Sequence, residues 1–205
     1  MILTKVGIHI NIWIAAYVGM TKQFSVMDEW VDILDAEGNP TGQSLLKSEA
    51  HRLGLYHPTV HIWCYDKNGF VLLQQRGRNK SSFPLKWDVS VAGHIGTGET
   101  ISLGAVREVQ EEIGVKISAE LLEKIAVFKT EHQHAKNFLD REFNHTFLYH
   151  LSRQTPLQKQ ESEVERLEWF PLERFKQWVK TKHSDLVPNL NQRYEKVISE
   201  IESRL

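Results

Sequence analysis

Apolar and polar residues alternate from Trp30 to Asp35 (WVDILD), the two-residue period of a half-buried strand, and Glu37-Gly38-Asn39-Pro40-Thr41-Gly42 is the turn that ends it. Ser44 to Arg52 is polar and reads as helical. His57 to Asp66 is the next strand, and Lys67-Asn68-Gly69 turns it back into Phe70 to Gln75, an antiparallel hairpin. A basic loop with Arg76, Arg78 and Lys80 ends at Phe83-Pro84, after which Trp87 to Ala92 leads as a strand into a helix bounded by Thr100 and Gly114. Beyond that helix, Lys124 to Thr130 and Glu142 to Leu151 read as strands, with the polar segment His132 to Asp140 connecting them. Gln158 to Glu165 is a charged, mobile loop and Leu167 to Phe170 a short strand. Pro171 is a first-turn proline opening a helix from Leu172 to Lys180. In the tail, Asn189 to Leu205, apolar residues at Leu190, Tyr194, Val197, Ile198 and Ile201 have the three-to-four spacing of an amphipathic helix.

The helix between Thr100 and Gly114 carries the chemistry. Glu108, Glu111 and Glu112 stand at i, i+3 and i+4 and share a face, while Ser102, Val106, Val109 and Ile113 fall on the opposite side, which is expected to pack inward. Three like charges that close repel one another, and no run of lysines on the neighbouring turns offsets them. A hard divalent cation does: Mg²⁺ binds through a few carboxylates and keeps water and substrate phosphate in its other positions. Arg107 is placed to hold one of these carboxylates by a planar bidentate pair. A solvated acidic face is the commoner explanation of a bare ExxEE. Here Gly93 and Gly98 bound a loop that lets backbone approach closely, Glu99 sits by the helix N-terminus, and Gly114 ends it.

Length and charge add limits. A chain of 205 residues is enough for one well-buried core. The net charge of −1, with no basic stripe, argues against a nucleic-acid binder. The single cysteine, Cys64, excludes an internal disulfide, fits a reducing, cytoplasmic setting, and lies in an apolar run where a buried thiol is expected. Residues 6–20 are mostly apolar but contain His9 and Asn11 and are too few to span a bilayer, so no membrane partner is expected. That run reads as a packed element, a surface anchor, or a product of an upstream start codon. The last is favoured because the domain-like pattern begins only at Asp28, so residues 1–27 form an extension. The domain proper runs over 28–171, with C-terminal helices over 172–205 packed on it.

The stretch GHIGTGETISLGAVREVQEEIGV matches the Nudix box at every fixed position: Gly93, Glu99, Arg107, Glu108, Val109, Glu111, Glu112, Gly114 and Val115. The chain therefore resembles the Nudix hydrolases. The resemblance implies an α/β fold, an α/β/α sandwich with a mixed β-sheet, and Mg²⁺- or Mn²⁺-dependent attack of water on phosphorus in a nucleoside diphosphate derivative. It makes Glu108, Glu111 and Glu112 the metal ligands, with Glu99 and Arg107 orienting them. The general base is Glu112 or, on the charged loop, Glu163. DILDAEGNPTG (Asp32 to Gly42), VLLQQR (Val71 to Arg76), FPLKWDVSVAGHIGTG (Phe83 to Gly98) and DREF (Asp140 to Phe143) are similar to the isopentenyl-diphosphate isomerase-like branch. That branch implies diphosphate contacts from Lys47, Arg76 and Lys80 beside Gly93, an active-site role for Trp169, and a second divalent-metal set at His51, His57, His94, Asp140 and Glu142.

Two departures matter. Ala92 stands where the isomerase has a cysteine that moves a proton, and a methyl group cannot do that. The box, degraded in the isomerase, is complete here. Hydrolysis of a small-molecule diphosphate is the expectation. An isomerase and a catalytically silent nucleotide-binding regulator are the alternatives, and a homodimer remains open.

Overall fold

The computed structural model describes residues 28–205; the apolar run near the N-terminus and the expected extension over 1–27 lie outside these residues. Strands β1 (Trp30–Leu34), β2 (Pro40–Leu46), β3 (Tyr56–Asp66), β4 (Phe70–Arg76), β5 (Trp87–Asp88), β6 (Val91–His94), β7 (Glu123–Ala135), β8 (Phe138–His150) and β9 (Val164–Pro171) join in one sheet. β3 is its axis. One edge of β3 pairs in parallel with β8 from Tyr56↔Arg141 to Tyr65↔His150, while the other is shared in succession by β1, β6 and β4, all antiparallel. The sheet is therefore mixed, as expected.

Every residue of β3 is buried because both faces of the sheet are covered. On one face Val60, Ile62 and Cys64 meet Leu72 of β4 and Ala105, Val109 and Ile113 of the helix α2 (Ile101–Ile113). On the other, Trp63 and Tyr65 meet Val71, Leu73, Phe175 of helix α3 (Leu172–Thr181) and Tyr194, Val197 and Ile201 of helix α4 (Arg193–Glu202). Each large apolar side chain removed from water this way contributes about 1.5–3 kcal/mol. The two-residue period of β3 and β4 thus divides the core into the layers of an α/β/α sandwich, and α3 and α4 pack on the sheet that carries the box. Cys64 is buried, and desolvation pushes its thiol up to about 12, the state of an inert structural cysteine.

Several expectations are corrected. The first turn is tighter: the Asp35 carboxylate accepts from the backbone of Glu37 and Asn39, and Pro40 already begins β2. A short helix, α1, starts only at Lys47 and runs to Leu53, closed by Gly54 at φ 62°. His132 to Asp140 is not a connection, because β7 and β8 run thirteen residues each and turn over Lys136 and Asn137. Both faces of β7 are polar there, which removes the hydrophobic alternation that marks a strand. The tail helix proper is Arg193–Glu202, preceded by a single 3-10 turn with Asn191 and Gln192 at φ 55°. Pro171 ends β9 and caps α3 rather than lying inside its first turn.

The inward face of α2 is also rotated. Ser102 is exposed, and the buried positions are Gly104, Ala105, Glu108, Val109, Glu112 and Ile113. Two of the three acids therefore lie beside the core stripe rather than opposite it. No helix among the described residues is long and apolar enough to cross a membrane.

Candidate active site

Helix α2 is fixed at both ends by its own sequence. The Thr100 hydroxyl accepts from the Leu103 N–H (3.3 Å), and Gly114, at φ 73°, closes the last turn by donating to Gln110 O. The helix lies so close to β6 that a Cβ at Gly93 would fall 1.9 Å from Glu108 Cδ. Gly93 is therefore space for a carboxylate. Arg107 organises the acids from the side. Its Nε and Nη2 donate to the two oxygens of Glu99 (3.1 and 3.0 Å), its Nη1 to Glu108 and Glu111 (2.8 and 3.1 Å), and its Nη2 also to the His94 carbonyl (2.8 Å). The bidentate pair expected of Arg107 thus falls on Glu99, which additionally accepts from the Gly96 N–H.

Glu112 points the other way. Its Oε2 accepts from Gln74 Nε2 (2.9 Å) and from the Ala92 N–H (3.0 Å), leaving Oε1 free of these bonds. Glu108 and Glu112 are buried, whereas the Glu111 side chain is 44% exposed. Burial first, and then the neighbouring Glu112 charge, pushes the Glu108 carboxyl up to about 8, against the pull of Arg107. Burial likewise takes Glu112 to about 7, opposed by Lys80. Two buried carboxylates one turn apart, with oxygen donors only, are a donor set suited to a hard divalent cation.

The acids open into a cavity of about 900 Å³ whose wall includes Lys47, Arg76, Lys80, Gly93 and Glu163. Lys47 is paired with Glu29 (3.1 Å) and Lys80 with Glu163. Burial lowers the Lys80 pKa. Arg76 is fully engaged: it donates to the Ser82 carbonyl and hydroxyl and to Asp88 (3.2 Å). The loop bearing Glu163 is pinned rather than mobile, since the Gln158 and Gln160 N–H groups donate to the Ile113 and Glu112 carbonyls and the Gly77 N–H to the Glu163 carbonyl. Trp169 is not brought to the cavity. It pairs across from Leu72 and packs, partly buried, against the core under α2.

In the same cavity a second residue set comes together from four elements: His51 on α1, His57 on β3, His94 on β6, and Asp140 and Glu142 on β8. One ligand atom from each of His51, His57 and His94 lies within 4.8 Å of the others, and the same holds for His57, Asp140 and Glu142. His57 Nδ1 donates to the Leu55 carbonyl (3.0 Å), which leaves Nε2 as its lone-pair atom. Burial lowers the pKa of all three imidazoles, that of His51 to about 4, so they are neutral and ligand-competent. Among the described residues, Nε2 of each, together with Asp140 Oδ1, is buried without a hydrogen-bond partner. Orphaned acceptors converging on one point fit a cation.

Sequence reasoning missed His132, His134, Phe83 and Phe138, which form a ring-on-ring wall of the same cavity. The signal was the His-x-His alternation in β7, hidden inside a segment taken for a loop. It also missed Arg193, whose position in a helical pattern gave no hint of a cavity.

A family model described as the NUDIX domain matches residues 55–190, and the chain belongs to the Nudix family. That family in general works with a divalent metal. The chain is 36% identical over 183 residues to Nudix hydrolase 3 of Arabidopsis thaliana, covering 86% of this chain and 24% of that protein. It is 34% identical over 122 residues to the isopentenyl-diphosphate Delta-isomerase of Serratia proteamaculans, covering 60% of this chain and 66% of that one. It thus spans about a quarter of the length of the plant relative. A crystal structure from Deinococcus radiodurans shares the fold with a TM-score of 0.66 at 20% identity, covering 82% of this chain and 98% of that one.

Proposed function

We propose that this chain hydrolyses a diphosphate linkage in a nucleoside diphosphate derivative, with Mg²⁺ or Mn²⁺ held by Glu108, Glu111 and Glu112. The observation that carries this is the pair of buried carboxylates Glu108 and Glu112 at the cavity wall, Glu108 lodged against Gly93, both with proton affinity raised by burial and that of Glu108 raised further by Glu112. A divalent cation bound there neutralises that charge, polarises the phosphate oxygens and lowers the pKa of a bound water. The protein's own groups do the rest. Arg107 fixes Glu99, Glu108 and Glu111 as one unit, and Gln74 with the Ala92 N–H fixes Glu112, so the acids are preorganised.

Lys80 and Lys47 line the cavity as cations that substrate phosphate can engage. When phosphate takes Lys80, the paired Glu163 is released with a free carboxylate able to accept the proton of the attacking water, and we assign it the role of base ahead of Glu112. The orphaned nitrogens of His51, His57 and His94, with Asp140 and Glu142, support a second divalent-metal position in the cavity. An isomerase is the second reading, favoured by that assembled set and by the resemblance to the Serratia enzyme. Ala92 opposes it, because it lines the cavity with no group to move a proton.

The test is turnover of nucleoside diphosphate derivatives by Mg²⁺-replenished protein, read as released phosphates. Glu112→Gln removes a ligand charge with shape kept, so kcat should fall by roughly 10²-fold or more at an unchanged circular dichroism spectrum. Near-normal turnover by that variant would remove the box from the site.

A further inference from the structure

A buried guanidinium, Arg193, and a partly buried one, Arg76, meet one buried carboxylate at the cavity. Asp88, 4% exposed, lies 3.2 Å from Arg76 Nη1 through Oδ2 and 3.8 Å from Arg193 Nη2 through Oδ1. The Asp88 Oδ1 also accepts from the Val89 N–H. Arg76 is satisfied by Asp88 and Ser82, whereas Arg193 is not. Its remaining contacts are long, Nη2 to the Tyr194 hydroxyl at 3.3 Å and to the Pro188 carbonyl at 3.5 Å, and its Nε is buried with no hydrogen-bond partner among the described residues. Arg193 is 7% exposed and lines the cavity. The next acid, Glu142, belongs to the other set, its carboxylate oxygen standing within 4.8 Å of the His57 and Asp140 ligand atoms. Asp88 is the one carboxylate in ion-pair range of both guanidinium groups among the described residues, and the more distant Glu142 is shared with the histidine set, so Arg193 keeps hydrogen-bonding capacity that a ligand can complete.

We propose that Arg193, with Arg76 and their shared Asp88, forms an oxyanion receptor in the cavity that takes a phosphate-type group of the substrate. A planar guanidinium that lines the cavity with only long internal hydrogen bonds is suited to a tetrahedral oxyanion. Arg193 opens α4, so the C-terminal helix supplies a substrate contact from outside the segment that carries the box. The receptor rests on reading this cavity as the substrate site, but its test does not depend on hydrolysis.

The experiment is calorimetric titration of the full chain, in EDTA and without metal, with inorganic phosphate and separately with methylenediphosphonate, circular dichroism confirming the fold of each variant. The wild type should bind both anions. Arg193→Gln should weaken binding at least tenfold, Arg193→Lys less, and Lys80→Gln should leave more of it than Arg193→Gln does. Asp88→Asn keeps the Oδ1 acceptor and removes the internal counter-charge, so it should tighten phosphate binding severalfold. A structural joint alone would weaken it instead. Tighter binding of methylenediphosphonate assigns the receptor to an intact diphosphate, and tighter phosphate binding to a lone phosphate. Unchanged affinity in Arg193→Gln would overturn the proposal, as would a loss in Asp88→Asn matching that in Arg193→Gln. If Arg193→Gln does not fold, the direction of the Asp88→Asn change decides.

Discussion

The two acid-bearing walls of the cavity are built in opposite ways. On α2 three glutamates come from one helical turn and are held by partners already present, namely Arg107, Gln74 and the Ala92 N–H. On the second wall five ligand-type residues come from four separate elements, and His51, His57, His94 and Asp140 each leave a buried atom unpaired among the described residues. The first wall is ordered by the protein and its charge is the unsolved part. On the second, the imidazoles are neutral beside the Asp140 carboxylate, whose pKa is lowered, and the lone pairs are the unsolved part. A cation answers both, but it contributes neutralisation on one wall and coordination on the other.

The sharpest way to break this contrast is to fill the space that the first wall needs. Gly93→Ala places a methyl group where Glu108 Cδ stands, so the carboxylate must move by an ångström or more. Activity should fall by roughly 10²-fold or more, since misplacement of that size costs about this much, and overpacking should cost about 1–3 kcal/mol of stability. A kinetic assay with a parallel thermal melt checks both. Wild-type rates would show that Glu108 is not position-critical.

The second wall is tested by composition rather than rate. With α2 disabled by Glu111→Gln and Glu112→Gln, protein purified without a histidine tag should retain about one divalent ion per chain, and His57→Ala should abolish it. Metal analysis of the two proteins decides this, and an ion-free double variant removes the site.

The smallest expected effect is on pH. Folded Glu108 and Glu112 titrate at about 8 and about 7, above the 4.5 of an ordinary glutamate, so their stabilising protonation is complete below about 4.5 and lost as pH rises through the folded values. The buried histidines work oppositely, since folded pKa values below 6.5 make stability rise with pH up to that value. Above pH 6.5 only the carboxylate effect remains, so metal-free protein should lose roughly 5 °C in Tm between pH 6.5 and 8.5, with Mg²⁺ abolishing the loss. A flat or rising metal-free profile above pH 6.5 would mean the carboxylates do not share a dry wall.

This contrast also explains what the sequence disclosed. The box is local: Glu108, Glu111 and Glu112 share a helix face by spacing alone, and Thr100 and Gly114 mark its ends. The rotation of that face was hidden, because Gly104 and Ala105 carry little apolar signal yet pack against Ile95 and the sheet. The histidine set was found through family resemblance, since no period connects residues 51, 57, 94, 140 and 142. The distal part of the β7–β8 hairpin escaped because its cavity face is written in histidine rather than valine. Arg193 escaped because charge compensation between β4, β5 and α4 is a tertiary fact that no spacing reveals.

Asp88 has a consequence for how the molecule can change over generations. By touching Arg76 of the sheet and Arg193 of the outer helix layer, one carboxylate is both a rivet between layers and part of the cavity floor. Substitutions that retune what the floor accepts will loosen the seam between layers, so specificity there should drift only in company with compensating changes in α4. The aromatic wall of Phe83, His132 and Phe138, which joins no such seam, is freer to vary, and divergence in ligand preference should be written there first.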